Sequence, residues 1–249
     1  MEYSARSIWF SGLALLVALS GCSSSSTSNG GSGTGGAGSI TGGTGGNSST
    51  GTGGSSNATT TQVTGSVCPG TFIGCGGDPT GTWKYSALCF EGDMTQAYND
   101  YETEKYGAAC ANLIQSVTIT IGGTVSINAG TYTYDSSSTN TQERVWTSAC
   151  MAAMSGKATT MSELLCSNLQ TAFSKDAGAA ATCAFDGTNC TCVQSTTSTS
   201  SGTDTYTVSG NAVLWSNGTT SEFCVEGSSL TFQDPTDFGF NYSTTLQKQ

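Results

Sequence analysis

The chain has 249 residues, and only 10% of them are charged: 7 Lys+Arg against 17 Asp+Glu, with no His. A formal net charge of −10 argues against electrostatic binding of nucleic acid or of an anionic membrane surface. The lack of His removes the commonest general base, the Ser-His-Asp and Cys-His arrangements, and every His-ligated metal site.

Arg6 supplies a positive start, and Ile8 to Leu19 is an uncharged apolar run. The run is long enough for a signal-peptide core and short for a stable membrane span. It ends in Leu19-Ser20-Gly21-Cys22, which resembles the bacterial lipobox. The resemblance implies cleavage before Cys22 and a diacylglycerol on its thiol, so residues 1–21 are expected to be a lipoprotein signal peptide. Without lipidation the run would serve as an ordinary signal peptide with an incidental Cys. Two or three acyl chains anchor a protein stably where one does not. Ser23 is not Asp, so the inner-membrane retention signal is absent. In a two-membrane bacterium this places the chain at the outer membrane, facing the periplasm or the cell surface. The membrane is then a partner through the lipid on Cys22.

Residues 22–67 are almost entirely Gly, Ser, Thr and Asn, without a charge or a Pro, and Thr-Gly-Gly recurs at 34–36, 41–43, 44–46 and 52–54. Such a segment cannot bury enough apolar surface to offset its ordering entropy. It is expected to be a disordered tether with a mean reach of roughly 35–40 Å. Its hydroxyls also permit glycosylation.

Residues 68–249 are the size of one domain with a real core. The chain holds 11 cysteines. With Cys22 assigned to lipid, ten remain: Cys68, Cys75, Cys89, Cys110, Cys150, Cys166, Cys183, Cys190, Cys192 and Cys224. An even set in an oxidising compartment predicts up to five disulfides. Ten cysteines allow about 945 connectivities, so none is assigned. Cys190-Thr191-Cys192 could be a redox dithiol or part of a zinc site. An oxidising compartment consumes the thiolates that either role needs, and no metal or cofactor is expected.

The domain reads mostly as β hairpins. Cys75 to Trp83 contains a turn at Gly76, Gly77 and Pro79, and Gly81 to Phe90 is a first strand. Gly81-Thr82-Trp83 resembles the Gly-x-Trp opening of lipocalin-like barrels. The resemblance implies a barrel whose bottom is closed by Trp83. Thr203-Asp204-Thr205-Tyr206 meets that family's Thr-Asp-Tyr pattern loosely. The family's late-strand Arg over the Trp has no counterpart, because the mature chain's one Arg is Arg144. From Cys75 onward the chain is also similar to uncharacterised Cys-rich bacterial lipoproteins that begin Cys-Gly-Gly-Asp-x-x-Gly-Thr-Trp.

Asp93-Met94-Thr95-Gln96 fits a capping box and predicts a short helix to about Lys105. Its Asp100, Glu102 and Glu104 read as a solvated acidic face rather than a cation site. Val117, Ile119 and Ile121 alternate with Thr. Gly122-Gly123 then reads as a hairpin turn, with Val125 and Ile127 on the return strand. Tyr132 and Tyr134 follow the Asn128-Ala129-Gly130 turn. Gln142 to Ala149 is a further strand. Thr160-Met161-Ser162-Glu163 is a second capping box, and an apolar stripe over 161–174 predicts a helix laid on the sheet, stapled by Cys166. Asp186-Gly187, Ser209 to Asn211, Asn217-Gly218 and Gly227 to Ser229 turn a final meander. The tail after Asp234-Pro235 is expected to be loosely held.

Paired carboxylates could run a glycosidase without His. The candidates are Glu91 with Asp93, Glu222 with Glu226, and Asp234 with Asp237. Asp234 and Asp237 are too few to claim a calcium site. Trp83, Tyr132, Trp146 and Trp215 could line an apolar pocket, or could simply be core. The fold expected is mainly β, an antiparallel meander closing into a lipocalin-like barrel of about eight strands with one or two short helices. The function expected is non-enzymatic binding of a small apolar or amphipathic ligand, or of an envelope partner. The alternatives are a solid-cored surface module for protein or glycan contacts, and a hydrolase working through carboxylates.

Overall fold

A computed structural model describes residues 62–175, 178–236 and 239–249. The lipobox and most of the expected tether lie outside these residues. Ten strands form one sheet: β1 (Val63–Val67), β2 (Gly81–Phe90), β3 (Ile114–Asn128), β4 (Thr131–Trp146), β5 (Ala179–Phe185), β6 (Cys190–Ser209), β7 (Ala212–Trp215), β8 (Thr220–Glu226), β9 (Ser229–Pro235) and β10 (Asn241–Lys248). Among the described residues three helices accompany them, α1 (Met94–Tyr106), α2 (Ser148–Ser155) and α3 (Glu163–Phe173), with a 3-10 turn at Ala108–Cys110. Among the described residues, no helix is long and apolar enough to cross a membrane.

Eight strands close into a hydrogen-bonded ring. Around it run β2, β3, β4, β6, β7, β8, β9 and β10, and β10 returns to β2. Every ring pairing is antiparallel. The tail is therefore the closing strand, not a loose end. Tyr242, Thr244 and Leu246 alternate inward along β10 and are buried. β1 lies within the residues expected to be tether. It pairs parallel with the far end of β2 and antiparallel with β3.

β2 and β3 pair only over Gly81–Lys84 and Thr124–Ile127, and β1 fills the wedge where they diverge. β3, β4 and β6 then continue beyond the ring as a long arm, with β5 added on β6. Gly122-Gly123 is not a hairpin turn, because β3 runs straight through it. Gly123 has φ 129°, and a Cβ there would lie 2.1 Å from the Asp135 carbonyl oxygen. Glycine is needed because the backbones of β3 and β4 approach closely where the arm leaves the ring. The two strands expected between Tyr132 and Ala149 are likewise one strand, β4.

The arm carries the helices. Asp93 caps α1 by accepting from the Gln96 N–H. Asn99 continues the β3 ladder from a helix, donating to the Ile114 carbonyl (2.8 Å) and accepting from its N–H (2.9 Å). Glu102 is 4% exposed, so the expected acidic face is solvated only at Asp100 and Glu104. Glu102 instead faces Arg144, whose basicity it supports against burial. α2 was not expected. Thr147 caps it, and the strand read through Ala149 stops there. Ser162, not Thr160, caps α3. Leu164 is 73% exposed, so only part of the stripe rests on the sheet.

All ten cysteines of the domain are paired: Cys68–Cys89, Cys75–Cys224, Cys110–Cys150, Cys166–Cys190 and Cys183–Cys192. Cys190 and Cys192 take different partners and are not a redox pair. Replacing Cys75 and Cys224 together by Ala is expected to cost about 5 kcal/mol, against about 2.5 for Cys183 with Cys192. The reason is loop length, 149 residues against 9. Urea-unfolding midpoints check the order, and equal costs would show that loop entropy does not govern it.

Candidate functional site

Alternation along the strands sends one set of side chains into the ring. Trp83 and Tyr85 enter from β2, Val125 and Ile127 from β3, Tyr132 and Tyr134 from β4, Phe232 and Asp234 from β9. Trp83 is fully buried, donates its indole N–H to the Pro79 carbonyl (2.8 Å), and lies under the Lys248 ammonium, 5.4 Å from its ring centroid. The cation over the tryptophan comes from the last strand, as Lys rather than Arg. This end of the ring is closed.

Aromatic side chains fill the ring towards the other end. Tyr132 meets Trp215 at 4.9 Å between centroids, Trp215 meets Phe232 at 5.5 Å, and Tyr206 meets Trp215 at 6.3 Å. These separations are those of direct ring contact. Trp215, Tyr134 and Asp234 each keep part of their surface in solvent, while Tyr132, Phe232, Ser221 and Tyr242 beneath them are buried. The ring thus has a shallow mouth with aromatic walls and Asp234 in it, and a second acid, Asp204, lies opposite Tyr132 on β6 and acts on its phenol.

Asp234 sits in a polar relay. Trp215 donates to the Ser221 hydroxyl (2.5 Å), and Ser221 donates to Asp234. Tyr242, directly opposite Asp234 across the β9–β10 ladder, also hydrogen-bonds to it. Burial pushes the Asp234 carboxyl up to about 6, against the pull of these two hydroxyls. Burial also raises the Tyr85 and Tyr242 phenols, and the Asp234 charge adds to both shifts. The Tyr85 hydroxyl and the Thr244 Oγ1 are buried and have no hydrogen-bond partner among the described residues.

Of the four aromatic residues singled out in the sequence, Tyr132 and Trp215 meet at this mouth. Trp83 lies in the ring at its closed end. Trp146 lies elsewhere: it stacks on Phe173 at 5.7 Å, beneath α3 in the arm. Ser221, Tyr85, Tyr242, Thr244 and Lys248 carried no motif. The Tyr-x-Thr-x-Leu alternation of 242–246 was the available signal for the tail strand.

The carboxylate pairs resolve differently. Glu91 accepts from Gln233 and Asn241, and Asp93 is a helix cap, so both serve the fold. Glu222 and Glu226 are exposed on β8, four positions and about 13 Å of strand apart. That exceeds the roughly 5–10 Å that glycoside hydrolysis uses. Asp237 lies outside the described residues. The clusters Cys183, Cys190, Cys192 and Cys75, Cys224, Glu226 have metal-like spacing. Their sulfurs are in disulfides and are not thiolate ligands. A groove of about 410 Å³ beside α1 is bordered by Asp93, Asp100, Glu104, Tyr101 and Phe240. Gln96 in it is already bonded to Asp100.

No protein-family model matches the chain, and no curated protein or solved structure matches it.

The raised Asp234 carboxyl sets a pH dependence. The unfolded chain, with the group near its ordinary value of about 3.9, releases this proton first as pH rises. The acid therefore costs stability above about pH 6, and the cost is relieved as pH falls towards about 4. Asp234→Asn is expected to remove that slope and to leave the protein of order 2 kcal/mol more stable, relative to wild type, at neutral pH than at pH about 4. Urea unfolding of both proteins across this range checks it. Parallel pH profiles would show that Asp234 ionises as freely in the fold as out of it.

Proposed function

We propose that the chain is a cell-envelope lipoprotein, anchored through Cys22, whose β domain is a non-enzymatic binding module. The anchor reading rests on the Leu19-Ser20-Gly21-Cys22 lipobox and on cysteine parity. Five disulfides take ten of the 11 cysteines, and Cys22 is the odd one. The Gly/Ser/Thr stretch after it is what a spacer from a bilayer needs. Cys22→Ala is expected to move the protein from the detergent phase to the aqueous phase in a phase-partition assay. Unchanged partitioning would remove the anchor from the proposal.

The binding reading rests on one observation, the half-open mouth where Trp215 stands beside Asp234, joined to it through Ser221. An apolar face beside an acid suits a small amphipathic molecule. The aromatic contacts deeper in the ring argue against a wide internal chamber, so the ligand would sit at the mouth and not along the axis. Octylammonium and octyl glucoside, each below its micelle concentration, are suitable probes for the purified full chain. At least one is expected to bind, and Trp215→Ala to weaken it about tenfold while the far-UV circular dichroism is kept. Absence of binding by both, or unchanged binding by the variant, would overturn this reading.

A second reading, a surface module that captures extended peptide, is favoured by the outer edge of β6. β5 pairs with its residues up to Thr196 and β7 from Tyr206 onward. Among the described residues no strand pairs with the edge between them. Thr197 N–H and Thr205 C=O point to that edge, so those of Thr199, Ser201 and Thr203 do also. The slot is short and uncharged up to Asp204, and a seven-residue extended segment fits it. Fast amide exchange at Thr199, Ser201 and Thr203 in the isolated protein is expected. Protection of all three without a partner would sink this second reading.

A further inference from the structure

We infer that the ligand of the ring mouth is an organic cation, a primary ammonium carried on an apolar body. The inference deepens the binding reading above and rests on it.

Three observations converge. The first is the acid itself. Asp234 lies inside the ring, and the groups that hold it are the neutral hydroxyls of Ser221 and Tyr242. Among the described residues, no Lys or Arg acts on its carboxyl. A carboxylate can accept about four hydrogen bonds, and these two donors leave room for more. A buried charge without an opposite charge is costly, and an ammonium placed there would remove that cost.

The second observation is the pair of unpartnered hydroxyls. Tyr85 is 3% exposed and Thr244 2% exposed, and neither oxygen has a partner among the described residues. Tyr85 lies on β2 close enough to Asp234, Tyr132 and Tyr134 for each to act on its phenol. Thr244 follows Tyr242 by two positions on the same inward face of β10. A buried oxygen without a bond loses about 1–3 kcal/mol. An ammonium has three donors and no acceptor. It can bond Asp234 and still serve lone pairs on these hydroxyls.

The third is the wall. The rings of Tyr132 and Phe232 each meet Trp215 at a steep angle beside the acid. Aromatic faces attract cations, Trp most strongly, and they also cover an alkyl or aryl body. A neutral sugar would stack there but leave the carboxylate uncompensated. An anion would be repelled by Asp234 and by the formal net charge of −10.

The test compares three eight-carbon probes on the purified full chain by titration calorimetry: octylammonium, octyl glucoside and octanoate. Octylammonium is expected to bind at least about tenfold more tightly than either of the others. Asp234→Asn, which keeps the shape and the hydroxyl bonds, is expected to erase that preference but not the binding of octyl glucoside, if any. Tyr85→Phe is expected to weaken octylammonium about threefold to tenfold, with the fold unchanged by circular dichroism. Octyl glucoside binding as tightly as the amine would overturn the inference and leave the mouth as a binding site. Preference for the amine surviving in Asp234→Asn would overturn it as well. Failure of all three probes would overturn the binding reading itself.

Discussion

The pairing of β10 with β2 is the constraint on which the molecule depends. Tyr242 to Lys248 lie beside Phe90 to Trp83, so the last ordered residues of the chain close against the first ring strand. The same eight-residue strand pairs with β9 on its other edge. It also carries Tyr242 to Asp234 and Lys248 to Trp83, which places one residue of β10 at each end of the ring. Neither the closed end nor the mouth exists until this contact forms. A closure joining positions so far apart in sequence is slow to find and costs loop entropy first. The Cys75–Cys224 bond spans 149 residues and ties the entry of β2 to β8, which shortens that search once formed.

The disulfides also answer a shortage of apolar surface. Where β4 and β6 pair in the arm, the rungs are Ser and Thr: Ser138 with Ser198, Thr139 with Thr197, Thr141 with Ser195. Such hydroxyl pairs specify register but bury little that is apolar. Three of the five disulfides lie in this region, tying the 3-10 turn to α2, α3 to β6 and β5 to β6. The ring, which has the Trp, Tyr and Phe core, holds the other two. Covalent stapling is heaviest where hydrophobic burial is weakest.

The same division explains what was legible in the sequence. Ring strands announce themselves, because Gly81 to Phe90 and the hairpins around Asn217-Gly218 alternate apolar with polar residues between turn signals. Gln194 to Ser200 in the arm does not. It is polar on both faces, and a strand held by hydroxyl rungs has no period-2 hydrophobic signal. Gly122-Gly123 misleads because the same two residues that allow a turn also allow two backbones to touch, and only the β4 partner distinguishes them. Thr147, the cap of α2, sits where a strand reading continues through Trp146 and hides the start of a helix. The mouth was half legible. Tyr132 and Trp215 stood out by type, whereas Ser221 and Tyr85 are common residues whose meaning comes from their place beside Asp234.

Asp234 is a feature of the ring that folding alone does not require. Its neighbours on the inward face of β9, Leu230 and Phe232, are apolar and buried, and a third apolar residue would continue the row. An Asn of the same shape would accept from Ser221 and Tyr242 without a charge to desolvate. An acid at this position raises the cost of the folded state at neutral pH. It also leaves the hydroxyl of Tyr85 near a negative charge rather than beside a donor. Sites that break the local rule of apolar-in and polar-out without a structural return are where function is usually housed. The position of this acid, at the half-open end and against Trp215, makes it accessible to a guest, whereas the same acid beside Trp83 would be sealed.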